Sequence, residues 1–179
     1  PFDRLSRRPD VEGPDLVASD AADRLILDES AGLRADAPAG SIVAIGDTHG
    51  ALALAAAHDG ARNVRVHQDA LAGERAISRN AEELGLSDHI RVFGLNADAV
   101  SDARVVLLRL PRALDALRDV AALVAAHASP DVVVVAGGRL KHMTLAMNDV
   151  LGEHFGRIDV SHARQKSRVL IARDPRAGH

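Results

Sequence analysis

The densest chemistry in the chain lies in Gly46-Asp47-Thr48-His49-Gly50, where two glycines frame a carboxylate, a hydroxyl and an imidazole. The apolar run Ile42 to Ile45 leads in, and the strong helix former Ala51-Leu52-Ala53-Leu54-Ala55-Ala56-Ala57 leads out. Strand, tight turn and helix in that order point backbone N–H groups at an anionic or polar ligand. A loop that cradles a dinucleotide reads G-x-G-x-x-G. Here the glycines are Gly46 and Gly50, with Asp47 and His49 between them, so the scaffold is kept and the glycine pattern is not. Asp and His two residues apart could instead share a metal ion, as phosphate hydrolysis often requires. They could also simply close the turn and cap the helix.

A second group with chemical potential is cationic. From Arg139 to His179 there are eight Lys/Arg and four Asp/Glu, a balance of +4 in a chain whose net charge is −3. Arg164, Lys166 and Arg168 alternate with Gln165 and Ser167, and Arg139, Lys141 and Arg157 could lie near them. Alternation along a strand would turn Arg164, Lys166 and Arg168 to one side, where they could follow a phosphate backbone. The competing reading is a charged edge that discourages strand pairing. With 2% aromatic residues and no Trp or Tyr, the chain has almost nothing on which to stack an unpaired base. The nine histidines are scattered, with no HExxH-like pair, and read as core or solvated residues. Asp102 and Asp115 read as solvated. Met143 and Met147, four apart on an expected helix, read as core.

The elements that must position these groups alternate. Residues 1–17 read as an irregular arm, and Ser19-Asp20 as the cap of a helix from Ala21 to Asp28. Strands are expected at 42–46, near 64–66, at 90–93, at 104–110 and at 132–135, the last a β-branched run typical of a buried parallel strand. Helices are expected at 50–58, 70–84 and 112–127, and from Gly137-Gly138 to about His154. Two final strands, 157–161 and 168–172, are joined by a short polar link that favours an antiparallel hairpin. Such alternation implies an α/β domain with a mostly parallel sheet covered on both faces. The length of 179 residues suits one such domain, 18–173, with a short tail at 174–179. There is no cysteine, no membrane-length apolar run and no visible signal peptide, which suggests a cytoplasmic protein. The start at Pro1, without Met, fits a piece of a longer protein.

Five crossover strands followed by an antiparallel hairpin resemble the class I S-adenosylmethionine-dependent methyltransferase fold, a Rossmann-like seven-stranded sheet. Val66 to Leu86 is similar to its second strand and following helix, with Asn80-Ala81 and Gly85-Leu86 at the usual places. Val133 to His142 (VVVAGGRLKH), together with Ala163 to Arg168 (ARQKSR), resembles the N-terminal half of the duplicated ribosomal RNA guanine-N2 methyltransferases, the RsmC and RlmG group. The resemblance covers about 18–173. It implies a degenerate first copy of the domain, without a catalytic residue, beside a C-terminal half that binds S-adenosylmethionine and acts on ribosomal RNA.

Against that pattern, the cofactor-binding positions are vestigial. Gly46, Asp47 and Gly50 stand in the loop after the first strand, and His67 or Gln68 stands where a carboxylate would hold the cofactor ribose. The fourth strand should end in Asn/Asp-Pro-Pro-Phe/Tyr and ends instead in Arg109-Leu110-Pro111-Arg112. The resemblance therefore implies no cofactor and no metal in this domain. Its expected partners are ribosomal RNA, through Arg139, Lys141, Arg164, Lys166 and Arg168, and the catalytic half of the same chain. One alternative is a domain that binds S-adenosylmethionine and catalyses by itself. Another is a metallophosphoesterase, since Gly46 to Gly50 also resembles the first metal motif of the calcineurin-like family. The later Gly-Asp and Gly-Asn-His-Asp/Glu motifs of that family are missing, which favours the capping role for Asp47 and His49.

Overall fold

The structure is a computed structural model and describes residues 20–47, 50–68 and 71–176, apart from the side chains of 71–73. The expected arm at 1–17, Ser19, His49 and Asp69 lie outside the described residues. Asp20 caps α1 (Ala21–Ala35), which runs seven residues beyond the expected end at Asp28. Its Oδ1 accepts from the Asp23 N–H at 3.0 Å, and Asp23 Oδ2 accepts from the Asp20 N–H at 3.1 Å. This reciprocal box satisfies two donors at a helix start that have no partner within the helix.

The remaining elements follow in alternation. They are β1 (Ile42–Ile45), α2 (Ala51–His58), β2 (Val64–His67), α3 (Leu71–Leu84), β3 (Ile90–Val92) and a single-turn α4 (Ala97–Val100). Then come β4 (Val105–Arg109), α5 (Leu114–His127), β5 (Val133–Arg139), α6 (Leu145–His154), β6 (Phe155–Val160) and β7 (Ser167–Pro175). The seven strands form one sheet in the order β3-β2-β1-β4-β5-β7-β6. The first five are parallel, and β7 inserts antiparallel between β5 and β6. The sheet, its order of elements and its terminal hairpin are those the sequence pattern implies.

Period-two alternation splits the central strands between two cores. Ile42, Ala44, Val105, Leu107, Val133 and Val135 pack on the face covered by α1, α2 and α3. Val43, Ile45, Val106, Leu108, Val134 and Ala136 pack on the face covered by α4, α5 and α6. In α2 every residue from Ala51 to Ala57 is buried. Five of those seven are alanines, so the helix can lie close to the sheet and still be enclosed on its outer side.

Several boundaries differ from expectation. β5 does not stop at Val135 but continues through Gly137-Gly138 to Arg139, and a 3-10 turn (Leu140–His142) precedes α6. The glycines do not open a helix; Gly137 lets α1 approach the sheet. A Cβ on Gly137 would fall 2.6 Å from Ile26 Cγ1 and 3.2 Å from Val169 Cγ2. Met143 therefore precedes α6 and only Met147 lies on it, although both pack in the second core. The four-residue α4 has no periodicity to betray it. β7 runs on to Pro175, past the expected domain edge at 173.

Gly137→Ala should cost about 1–3 kcal/mol in urea unfolding, because Ile26 is fully buried and has little room to move. Gly138→Ala, whose Cβ would find its nearest neighbour at 3.7 Å, should be close to neutral. Equal effects of the two substitutions would contradict this account of the α1 contact.

Candidate functional site

The chain leaves β1 toward β2 and leaves β4 toward β5, yet β1 and β4 are neighbours. Open parallel sheets bind ligands at this topological switch point, outside the C-terminal strand ends. A cavity of about 290 Å³ lies there, lined among others by Gly46, His67, Gln68, Leu95, Arg109 and Pro111. Three of the five positions expected to be vestigial cofactor contacts therefore meet in one place. Gly46 takes φ 77°, and a Cβ there would sit 3.1 Å from the Arg109 carbonyl oxygen, so only glycine fits without displacement. Its N–H donates to the His67 carbonyl at 3.0 Å, tying β1 to β2 at the cavity rim. The His67 Nδ1–H donates to the Phe93 carbonyl at 2.9 Å, which fixes the ring at the strand end.

Asp47 turns away from that cavity. It is 1% exposed, and its two oxygens accept from the Leu52 and Ala53 N–H groups, each at 2.8 Å. The N-cap of α2 is Gly50, at φ 88°, which has no side chain to offer. Asp47 supplies the cap from three residues upstream, as the capping reading of the motif expects. Two donors at this helix start are thus occupied by the chain's own carboxylate. Burial pushes its pKa from 3.8 to about 7, against the pull of the two N–H bonds.

At the end of β4, Arg109 occupies the place where the methyltransferase pattern would begin its Asn/Asp-Pro-Pro segment. Its guanidinium donates to Asp20 Oδ1 at 2.8 Å and to Asp23 Oδ1 at 2.9 Å. Burial pushes the Asp23 carboxyl up, and Arg109 opposes that shift. Burial also works against the Arg109 charge, but Asp23 and Asp20 outweigh it and hold the guanidinium above its usual range. Sequence reasoning missed this clamp. The Asp20-x-x-Asp23 spacing signals a helix start, but nothing in it points to a partner 86 to 89 residues away.

The cationic residues divide differently from expectation. Arg164, Gln165 and Lys166 precede β7, and Gln165 and Lys166 take φ 50° and 60° in a two-residue turn closed by Arg164–Ser167 hydrogen bonds in both directions. A turn does not alternate, so Arg164, Lys166 and Arg168 do not share a strand face. Arg164 pairs with Asp28 of α1, and the Arg168 Nε–H donates to the Ser161 carbonyl at 3.1 Å. Arg157 pairs with Asp159 at 2.9 Å. The structure does bring the two parts of the set together. Arg139 is the register partner of Ser167, and the Leu140 N–H donates to the Lys166 carbonyl at 2.9 Å. Arg139, Lys141 and Lys166 are all exposed.

A seven-stranded sheet of this order, with its switch-point cavity between β1 and β4, is the class I methyltransferase fold. Solved structures agree. The RsmC 16S rRNA N2 G1207 methyltransferase of T. thermophilus, in complex with AdoMet and guanosine, superposes with a TM-score of 0.70 at 22% identity, over 87% of this chain and 43% of that one. A ribosomal protein L11 methylase from Lactobacillus delbrueckii gives 0.69 at 20% identity, over 92% and 90%. The chain belongs to the RLMG N-terminal domain family, whose model it matches over residues 2–176. It is 31% identical over 177 residues to the ribosomal RNA large subunit methyltransferase G of Pseudomonas fluorescens, covering 96% of this chain and 46% of the relative. The corresponding protein of Pseudomonas entomophila is 29% identical over 171 residues, covering 94% and 44%. The chain thus spans less than half the length of these relatives.

Two outcomes follow from the buried charges. Because the folded pKa of Asp47 exceeds its unfolded value, the fold keeps the proton while the unfolded chain releases it. Relative to Asp47→Asn, stability should therefore fall by at most about 4 kcal/mol as pH rises from 3.8 to about 7, and level off above. Urea unfolding at stepped pH, with the Asp47 carboxyl carbon followed by NMR, measures both quantities; an NMR midpoint in the ordinary carboxylate range would refute it. Separately, Arg109→Leu should cost roughly 3 kcal/mol by leaving Asp23 buried without its cation, and adding Asp23→Asn should restore part of that stability.

Proposed function

We propose that this chain is the non-catalytic N-terminal half of a ribosomal RNA guanine-N2 methyltransferase, supporting a catalytic C-terminal half and helping to hold the RNA. The observation that carries this reading is the end of β4. Transfer to an exocyclic amine needs a hydrogen-bond acceptor for the amine and a positioned methyl donor. At that point the chain places Arg109, a donor without acceptor capacity, clamped by Asp20 and Asp23. The cofactor side is depleted in the same way: His67 and Gln68 replace a ribose-binding carboxylate, and Asp47 is turned inward to cap α2. The family match, over less than half the length of the relatives, supports a partner domain in the same chain. No helix among the described residues is long and apolar enough to cross a membrane.

RNA contact is assigned to the exposed cations that meet at the β5 end and the β6–β7 turn, Arg139, Lys141 and Lys166, with Arg164 and Arg168 as flanking members. They would grip phosphates, since bases find almost no aromatic surface here.

The test has two arms. Calorimetry on the 179-residue chain should show no S-adenosylmethionine binding in the low-micromolar range, since each missing polar interaction costs roughly 1–3 kcal/mol. In the full-length protein, Ala at 164, 166 and 168 together should weaken ribosomal RNA binding and flatten its salt dependence, by about 1 in log–log slope for each phosphate no longer neutralised. Tight cofactor binding by the chain would favour a methyltransferase domain that acts by itself. Unchanged affinity and slope in a folded triple variant would remove the turn from the RNA-binding surface.

A further inference from the structure

A second cavity, of about 230 Å³, is lined among others by Arg109, Arg112, Gly138, Arg139 and His142. Lys141 stands beside it in the 3-10 turn. The carboxylates of Asp20 and Asp23 at the start of α1 are taken by Arg109. Asp115, in the first turn of α5, pairs with Arg118 at 3.2 Å. Among the described residues no carboxylate pairs with Arg112, Arg139 or Lys141, so the described lining is rich in cations without an anionic partner.

Two further observations bear on what fills it. Arg112 and Met143, both in the lining, immediately precede the N-caps of α5 and α6, Ala113 and Thr144, and neither cap side chain bonds its helix. The start of α5 carries Asp115 in its first turn, so the cavity's positive character rests on its side chains rather than on the helix ends. The Arg112 guanidinium also donates to His142 Nε2 at 2.8 Å. A ring that accepts at Nε2 is neutral, with its proton on Nδ1. Desolvation, then the charges of Arg112, Lys141, Arg139 and Arg109, hold the His142 pKa below its ordinary value. A neutral imidazole thus serves as acceptor for a guanidinium that has no anion.

We propose that this cavity is a phosphodiester site for RNA, in which Arg112 releases His142 to take a backbone phosphate, flanked by Arg139 and Lys141. The proposal rests on reading the domain as an RNA-holding half and adds Arg112 and His142 to the contact surface. The site is continuous with the β6–β7 turn through the Leu140–Lys166 backbone bond, so one RNA strand could run from the cavity to Lys166. A bound phosphate would offer His142 an acceptor and an opposite charge. Its pKa would then rise rather than stay depressed.

The experiment follows the His142 ring by NMR in the full-length protein across pH, alone, with inorganic phosphate and with a short oligouridylate. Both additions should move the His142 midpoint upward and leave His58 and His127 in place. Arg112 is exposed, so Arg112→Ala should fold normally. It should weaken oligouridylate binding about tenfold, as expected for a charge-assisted hydrogen bond. It should also reduce the log–log salt slope by about 1. If RNA binds while His142 stays put and Arg112→Ala changes nothing, the cavity is not the site and the RNA-holding reading survives. A shift with inorganic phosphate only would show an adventitious ion site and overturn the RNA assignment. No RNA binding by the full-length protein would overturn the underlying reading itself.

Discussion

Arg109 reaches from the C-terminal end of β4 to two carboxylates on the first turn of α1. The Asp20–Asp23 box alone would hold two carboxylates side by side at a helix start, one of them buried. Burial disfavours the Asp23 charge, Asp20 adds to that, and the Arg109 cation opposes both. In turn, α1 is pinned across the sheet at the point where β1, β4 and β5 end. Gly137 allows that approach by leaving the space Ile26 fills. Arg109 lines both cavities at the strand ends. A neutral side chain at 109 would leave Asp23 without its cation.

A methyltransferase-like scaffold can hold together on internal contacts alone. The sheet order and the switch point depend on apolar alternation, on Gly46 and on the cap of α2. None of these needs a ligand. Asp47 satisfies the helix start internally, and the Gly46–His67 bond closes β1 onto β2. In a cofactor-binding loop, the donors at the helix start remain available to a bound anion. Here two are already bonded at 2.8 Å, and a ligand would have to compete with a buried side chain for them.

The fold is legible in the sequence because its signals are local. The β-branched run at 132–135, the alanine-rich helix after Gly50 and the closing Gly85 each fix an element from neighbouring residues alone. The site is legible only in part. Gly46, His67 and Gln68 can be placed by counting along the fold, and they do line the switch-point cavity. The Arg109 clamp cannot, because its partners are separated from it by most of the domain. The β5 end is misplaced by sequence because a glycine pair usually signals a turn, whereas here it accommodates Ile26 within a strand. The alternation of Arg164, Lys166 and Arg168 fails for a similar reason. Gln165 and Lys166 adopt left-handed conformations that glycine or asparagine would normally announce.

The same turn also shows which charges are committed and which remain open. Arg164 is tied to Asp28, Arg168 to a carbonyl, Arg157 to Asp159 and Arg109 to two carboxylates. Each of these cations already has a partner within the fold. Arg112, Arg139 and Lys141 have no such carboxylate among the described residues, and all three gather at the ends of β4 and β5. A net charge of −3 makes long-range attraction of a polyanion weak, so the proposed RNA contact would rest on a local field. Among the described residues, a cavity and cations without a carboxylate partner coincide beside Arg109. The end of β4, where Arg109 stands clamped by Asp20 and Asp23, is therefore also the place where the cations without a carboxylate partner collect.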